Sequence, residues 1–245
     1  MCGIAGIVSN KDGYVALDRM VASMGHRGPD GRGAVLRAVD GWTVGVGHTR
    51  LSILDLSNAG AQPMTDRLGD AALTYNGEVY NFMDIRDELM SEGVTFKSRS
   101  DTEVILEGYL KWGLEIFPRL RGMFALAIWD QAKRKLVLAR DSLGIKPLYV
   151  YSDGDSVLFA SEIRALLASG LVPRRLDPAG LASYLSFGSV SAPGTIVQGV
   201  ESLMPGDCLE IIPGDSLMIC RSRFRARSER QRPPASREQA VEELR

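Results

Sequence analysis

Apolar residues along the chain cluster with two different periods. From Gly3 to Val8, Trp42 to Gly47, Ala71 to Tyr75, Met123 to Trp129, Leu136 to Ala139 and Val157 to Ala160 they run almost unbroken, with turn-rich stretches such as Lys11-Asp12-Gly13 and Ser152-Asp153-Gly154 between them. These runs read as strands. Helical spacing marks Leu17 to Met24, Phe82 to Glu92, Thr102 to Trp112, Glu162 to Ala168 and Pro178 to Leu185, and Ser100 and Asp101 stand where the third helix needs a cap. Strands come in runs and do not alternate strictly with helices. That predicts an α+β layout with largely antiparallel sheets rather than a doubly wound parallel sheet.

The pattern changes after Cys220. Six of the twelve residues from Arg221 to Arg232 are arginine, and Pro233 and Pro234 follow. We read residues 1–220 as one domain and 221–235 as an Arg/Pro-rich linker, a solvated connection rather than a nucleic-acid patch. Ser236 and Gln239 have the spacing of a capping box, so residues 236–245 read as the opening turns of a new helix.

Composition narrows the classes. With 245 residues, 45% of them hydrophobic, the chain has ample material for a core. The 29 basic and 30 acidic residues give no electrostatic reason to expect nucleic acid or a membrane surface as partner. The three cysteines, Cys2, Cys208 and Cys220, lack CxxC spacing, and His26 and His48 are the only histidines, so neither a disulfide framework nor a metal site is expected. No basic and apolar leader opens the chain, and no apolar run has the length of a membrane span, so a cytoplasmic location is expected.

Cys2 carries the candidate chemistry. It follows the initiator methionine, so removal of Met1 would leave a thiol and a free α-amino group on one residue. An α-amino group with an ordinary pKa of roughly 7.7–8.0 can accept the thiol proton near neutral pH and return it to a departing amine. By position alone Cys2 would read as a small buried cysteine.

The rest of the sequence changes that reading. MCGIAGIV from Met1, HRGPDG from His26, GHTRLSILD from Gly47, YNGEVYN from Tyr75, SDTEVIL from Ser100, GMFALAIWD from Gly122 and RDSLGIKPLYV from Arg140 occur in order. SAPGTIVQGVESLMPGD from Ser191 closes the series. In these motifs the chain resembles the class II, N-terminal nucleophile glutamine amidotransferases, and within them the glutamine-hydrolysing asparagine synthetases. The resemblance implies the four-layer αββα sandwich of N-terminal nucleophile hydrolases, with Cys2 as nucleophile. It implies Asn76 and Gly77 as oxyanion donors, Arg50 as partner of the substrate α-carboxylate and Asp101 as partner of its α-ammonium. Leu51, Ser52, Ile53 and Leu54, in the loop after Arg50, and Glu78 would line the substrate site. Without the resemblance, Asn76-Gly77 reads as a hairpin turn, Arg50 as a solvated loop charge and Asp101 as a helix cap. His26 and His48 are expected to shape loops by hydrogen bonding, and the Arg140 motif to be architectural, with an interdomain role left open because in the family it lies near the path toward the second active site.

The implied reaction is hydrolysis of glutamine to glutamate and ammonia. Pro29-Asp30 after His26-Arg27-Gly28 matches the asparagine synthetase pattern better than that of the sugar-phosphate or purine enzymes. The implied partners are glutamine and a synthetase domain or subunit that accepts ammonia, and a homodimer is compatible. No cofactor is expected in this chain; ATP and magnesium belong to the synthetase domain, whose first helix residues 236–245 resemble and whose pyrophosphate loop is absent here. Two other readings stay open: a non-catalytic glutamine-binding or scaffold module with the same fold, and an amidotransferase half serving an acceptor other than aspartate.

Overall fold

In the computed structural model, residues 1–52 and 60–226 are described. Among these residues twelve strands form two six-stranded sheets whose paired neighbours are all antiparallel. The first sheet has the order β10 (Val200–Ser202), β8 (Tyr149–Ser152), β9 (Ser156–Ala160), β1 (Gly3–Ser9), β3 (Trp42–Arg50), β2 (Gly31–Val39). The second has the order β12 (Met218–Arg223), β11 (Asp207–Ile212), β7 (Lys135–Arg140), β6 (Gly122–Asp130), β5 (Ala71–Val79), β4 (Met64–Thr65). The helices are α1 (Gly13–Ser23), α2 (Phe82–Ser91), α3 (Asp101–Trp112), α4 (Ile163–Ala168) and α5 (Pro178–Phe187), with a 3-10 helix over Gly113–Arg119.

Alternation within the strands sets the layers. In β1, Ile4 and Val8 turn inward to meet Ala125, Ala127 and Leu138 of the other sheet. Ala5 and Ile7 turn outward beneath Leu17 and Met20 of α1 and Leu166 of α4. In β6, Leu126 and Ile128 point the other way, against Val104, Ile105 and Tyr109 of α3 and Leu89 of α2. Both faces of each central strand are therefore buried, which is why those strands read as unbroken apolar runs. Helix, sheet, sheet and helix stack in that order, the αββα sandwich expected from sequence.

Half of the strands lie outside the apolar runs. β4 and β10 are too short to show a period, and β2 is an edge strand with Gly31, Gly33 and outward arginines at 32 and 37. β12 is exposed throughout and occupies the other edge. Its Arg221, Ser222 and Arg223 pair with Leu209, Cys208 and Asp207, so these residues, read as the start of the linker, belong to a strand. Their charge is compatible with an edge, where one strand face meets water; Arg223 donates to the buried Asp207 at 2.8 Å. The Lys11-Asp12-Gly13 stretch, read as a plain turn, starts α1 earlier than expected, with the Asp12 side chain accepting from Val15 N–H. The capping box at Ser236 and Gln239 lies outside the described residues, as do Ile53 and Leu54.

Candidate active site

Cys2 immediately precedes the central strand β1. Gly3 pairs with Thr49, so the next pair along sets Cys2 beside Arg50, at the end of β3. The Cys2 thiol lies 3.4 Å from the Leu51 N–H, which donates to it, and 3.5 Å from the Leu51 carbonyl. Its backbone is held from the other side, where Arg27 Nε donates to the Cys2 carbonyl at 2.9 Å while Arg27 also pairs with Glu162 at 3.0 Å. The nucleophile candidate thus stands at the mouth of the central strand β1, held by the residue that follows β3 and by Arg27 of the turn after α1.

Arg50 is the last residue of β3, not a residue of a loop between strands. The HRGPDG motif pins it there. Gly28 packs so close to β3 that a Cβ on it would lie 2.3 Å from the Thr49 carbonyl carbon. Asp30 N–H donates to the Arg50 carbonyl at 3.0 Å, and the Asp30 carboxylate accepts from Ser52 N–H at 2.8 Å. His26 in the same motif is half-exposed and bonds Glu162 at 2.9 Å, a surface role that keeps Arg27 and Glu162 in place.

Asn76 and Gly77 sit inside β5, opposite Ala125 and Phe124 of β6. The hairpin-turn reading of Asn-Gly is therefore wrong. Glycine is required here by close strand approach: a Cβ at position 77 would lie 2.3 Å from the Met123 carbonyl oxygen. The Asn76 side chain is buried, and its Nδ2 has no hydrogen-bond partner among the described residues. A buried amide N–H without a partner costs on the order of 1–3 kcal/mol, and this one belongs to a residue that lines the pocket, where it is available to an acceptor bound there.

Asp101 is the first residue of α3, and the cap is Ser100, whose hydroxyl accepts from Thr102 N–H at 2.9 Å. Asp101 instead reaches into β5: its Oδ2 accepts from Tyr75 O–H at 2.8 Å and from Val79 N–H at 3.1 Å. Burial pushes the Asp101 carboxyl above its usual range, against the pull of these hydrogen bonds. Burial, and then the Asp101 charge, holds the Tyr75 phenol well above its ordinary value, so Tyr75 stays a neutral donor.

One pocket brings these groups together, lined by Cys2, Arg50, Asn76, Gly77, Glu78 and Asp101, with Leu51 and Ser52 on its rim. Among its further lining residues are Gln62 and Lys146, to which sequence reasoning gave no role. Gln62 accepts from Tyr75 N–H at 2.7 Å and donates to Thr102 at 3.3 Å, tying β5 to α3. Lys146 is carried in by the β7–β8 loop. The Arg140 motif is the architecture of that loop: Asp141, fully buried, accepts from the backbone N–H groups of Phe124, Leu143, Ile145 and Lys146, while Arg140 donates to the Lys146 and Gly144 carbonyls.

His48 joins the two sheets beneath the pocket. Its Nε2 donates to the Tyr75 carbonyl at 3.2 Å, and next to it the Thr74 hydroxyl donates to the Gly47 carbonyl at 3.0 Å. Burial lowers the His48 pKa from 6.5 to about 4, so the ring is neutral in the fold. The unfolded chain takes a proton near pH 6.5 and the folded chain only near 4, so acid favours unfolding between these values. The contribution is fully present above pH 6.5, about 2 kcal/mol of it is gone by about pH 5, and about 3 kcal/mol is lost below pH 4. Urea unfolding midpoints should fall accordingly between pH 6.5 and 5, and His48→Gln, which keeps a donor for Tyr75, should flatten that slope. An equal slope in both proteins would contradict the assignment.

Comparison with known proteins identifies the family and the fold. Residues 1–219 match the family model of the glutamine amidotransferase domain. The chain is 39% identical over 221 residues to asparagine synthetase [glutamine-hydrolyzing] 3 of Bacillus subtilis, covering 85% of this chain and 34% of that protein. It is 37% identical over 247 residues to a putative asparagine synthetase [glutamine-hydrolyzing] of Mycobacterium tuberculosis, covering 91% and 37%. It is 42% identical over 157 residues to amidase chyE of Penicillium rubens, covering 64% and 23%. The chain thus spans about a third of the length of the asparagine synthetases it matches. Among solved structures, the glutamine phosphoribosylpyrophosphate amidotransferase of B. subtilis superposes with a TM-score of 0.65 at 21% identity, over 91% of this chain and 49% of that one, which supports the fold. The order of motifs, the sandwich and the family match agree: this chain belongs to the glutamine amidotransferase domain family.

Proposed function

We propose that the chain hydrolyses glutamine to glutamate and ammonia, with Cys2 as nucleophile once Met1 is removed. The observation that carries this reading is the buried Asn76 Nδ2, without a hydrogen-bond partner among the described residues, in the same pocket as the Cys2 thiol, Arg50 and Asp101. The α-amino group of Cys2 takes the thiol proton, and the thiolate attacks the side-chain amide carbon of glutamine. The oxygen becomes an oxyanion, to which Asn76 Nδ2 and Gly77 N–H donate. Collapse breaks the C–N bond, and the α-ammonium returns its proton to the departing nitrogen as ammonia. A water molecule then hydrolyses the thioester, releasing glutamate and restoring the thiol. Arg50 holds the α-carboxylate, Asp101 and Glu78 face the α-ammonium, and Leu51 and Ser52 border the bound amino acid.

As written, the reaction draws on no cofactor from this chain, and it suits a reducing compartment such as the cytoplasm, where the thiol stays free. Among the described residues no helix is long and apolar enough to cross a membrane. We assign the ammonia to a synthetase domain or subunit that binds ATP and magnesium, supported by the names of the asparagine synthetases this chain resembles. Aspartate is the acceptor those names favour, although an amidase is also among the relatives. Residues 1–223, through β12, would be the glutaminase domain, and the sequence after β12 the connection to its partner.

Steady-state kinetics test the division of roles. Arg50 binds the substrate carboxylate in ground and transition states alike, so Arg50→Ala should raise KM for glutamine about 10- to 100-fold with little change in kcat. For Asp101 the informative variant is Asp101→Asn, because Ala would also strip Tyr75 and Val79 of their acceptor. A fall in kcat at unchanged KM for Arg50→Ala would contradict the assignment.

A further inference from the structure

The β7–β8 loop delivers a buried cation to the pocket. Lys146 is only 7% exposed. Its ammonium reaches the sulfur of Met1, at 3.6 Å, and its backbone is fixed by the N–H bond to Asp141 at 3.1 Å and the carbonyl bond from Arg140 at 2.7 Å. Met1 and Lys146 line the same pocket as Cys2. Loss of Met1 removes the thioether, a weak acceptor, and leaves in that region the new α-amino group of Cys2. A cation on a loop fixed by Asp141 and Arg140 then shares the pocket with the amine that has to accept a proton.

We propose that Lys146 is a positioning residue for that proton: its charge offsets the carboxylates of the pocket and keeps the Cys2 α-amino group in its neutral, proton-accepting form near pH 7. This rests on the glutamine-hydrolysis reading above. Charged groups face the point from every element around it. Arg27 and Glu162 pair beside the Cys2 carbonyl, Arg50 closes β3, Glu78 projects from β5 and Asp101 starts α3. Tyr75 is neutral in this range. Of the charged groups that line the pocket itself, Arg50 and Lys146 face Glu78 and Asp101; outside it Glu162 is answered by Arg27, His26 and Arg164, and the carboxylates of Asp30 and Asp141 accept from the backbone N–H groups of Ser52 and Lys146. Without Lys146 the set carries an excess negative charge, which favours the ammonium, and an ammonium cannot take the thiol proton.

The test is the pH dependence of kcat/KM for glutamine in protein lacking Met1, for wild type, Lys146→Met and Lys146→Arg. In Lys146→Met the acidic limb should move up by about one pH unit, lowering activity at about pH 7 roughly ten-fold and recovering it in more alkaline buffer. Lys146→Arg should keep the wild-type limb. An equal loss at every pH, with the limb unmoved, would overturn the proposal. A second measurement needs no variant: the rate of α-amine acylation against pH, compared between the wild-type protein and the peptide Cys-Gly-Ile-Ala-Gly. The protein amine should titrate no higher than the peptide amine, and a value a full unit higher would overturn the proposal even if Lys146→Met failed to fold. Wild-type protein without Met1 that never hydrolyses glutamine would count against the glutaminase reading instead, and the amine titration would still decide the role of Lys146.

Discussion

Cys2→Ala protein should release no ammonia from glutamine above background, a loss of roughly 10⁴-fold or more, while keeping its fold and most of its affinity for glutamine. The loss is large because thiol and base act as a unit: without sulfur no thioester forms, and the α-amino group has no proton to move. The fold survives because Cys2 precedes β1 and, among the described residues, its thiol hydrogen-bonds with Leu51 alone, at 3.4 and 3.5 Å. Binding survives because Arg50 and Asp101 are held by β3 and α3 without help from the thiol. Cys208 is buried in the α2/α3 layer, where burial pushes its thiol up to about 12, and Cys220 sits on the exposed edge strand β12. Neither lines the pocket, so Cys208→Ala and Cys220→Ala should keep glutaminase activity. Ammonia release measured by a coupled assay for all three variants, with glutamine binding by calorimetry, separates these outcomes.

Asn76→Ala should lower kcat for glutamine by roughly 100- to 1000-fold with KM nearly unchanged. The difference from Arg50 is one of timing. The oxyanion exists only after attack, so its donors lower the barrier without tightening the ground-state complex. The same variant should not destabilise the protein, because the Nδ2 donor it removes has no partner to lose. Equal stability with a much lower kcat would be hard to explain if Asn76 were a packing residue. Denaturant titration alongside the kinetics provides both readings, and a stability loss at unchanged kcat would remove Asn76 from the oxyanion site.

What sequence reasoning could see depended on whether a residue carries its own signal. The central strands announced themselves because both faces of β1, β6 and β9 are buried, which leaves no polar position to interrupt the run. The edges did not: β2 and β12 have one open side, so their arginines and glycines resemble loop sequence. Asn76-Gly77 shows the limit of local chemistry most clearly. The pair has strong turn propensity, yet the approach of β6 to Gly77 keeps it inside a strand, a tertiary cause that composition cannot show. Cys2, Arg50, Asn76, Gly77, Glu78 and Asp101 came from the family resemblance, and the structure brings them to one pocket. Gln62 and Lys146 belong to that pocket through packing alone. Lys146 lay in a motif rightly read as architecture: Arg140 and Asp141 build the loop, and the loop aims the lysine.

The central claim is that Cys2, freed of Met1, is the nucleophile. It is tested most directly by treating the purified protein with a glutamine analogue bearing an electrophilic carbon in place of the side-chain amide, followed by intact mass and peptide mapping. The account predicts one adduct per chain, on a peptide that begins with Cys2, formed only in chains that have lost Met1 and suppressed by excess glutamine. An adduct on Cys208 or Cys220, or equal labelling of chains that retain Met1, would contradict it.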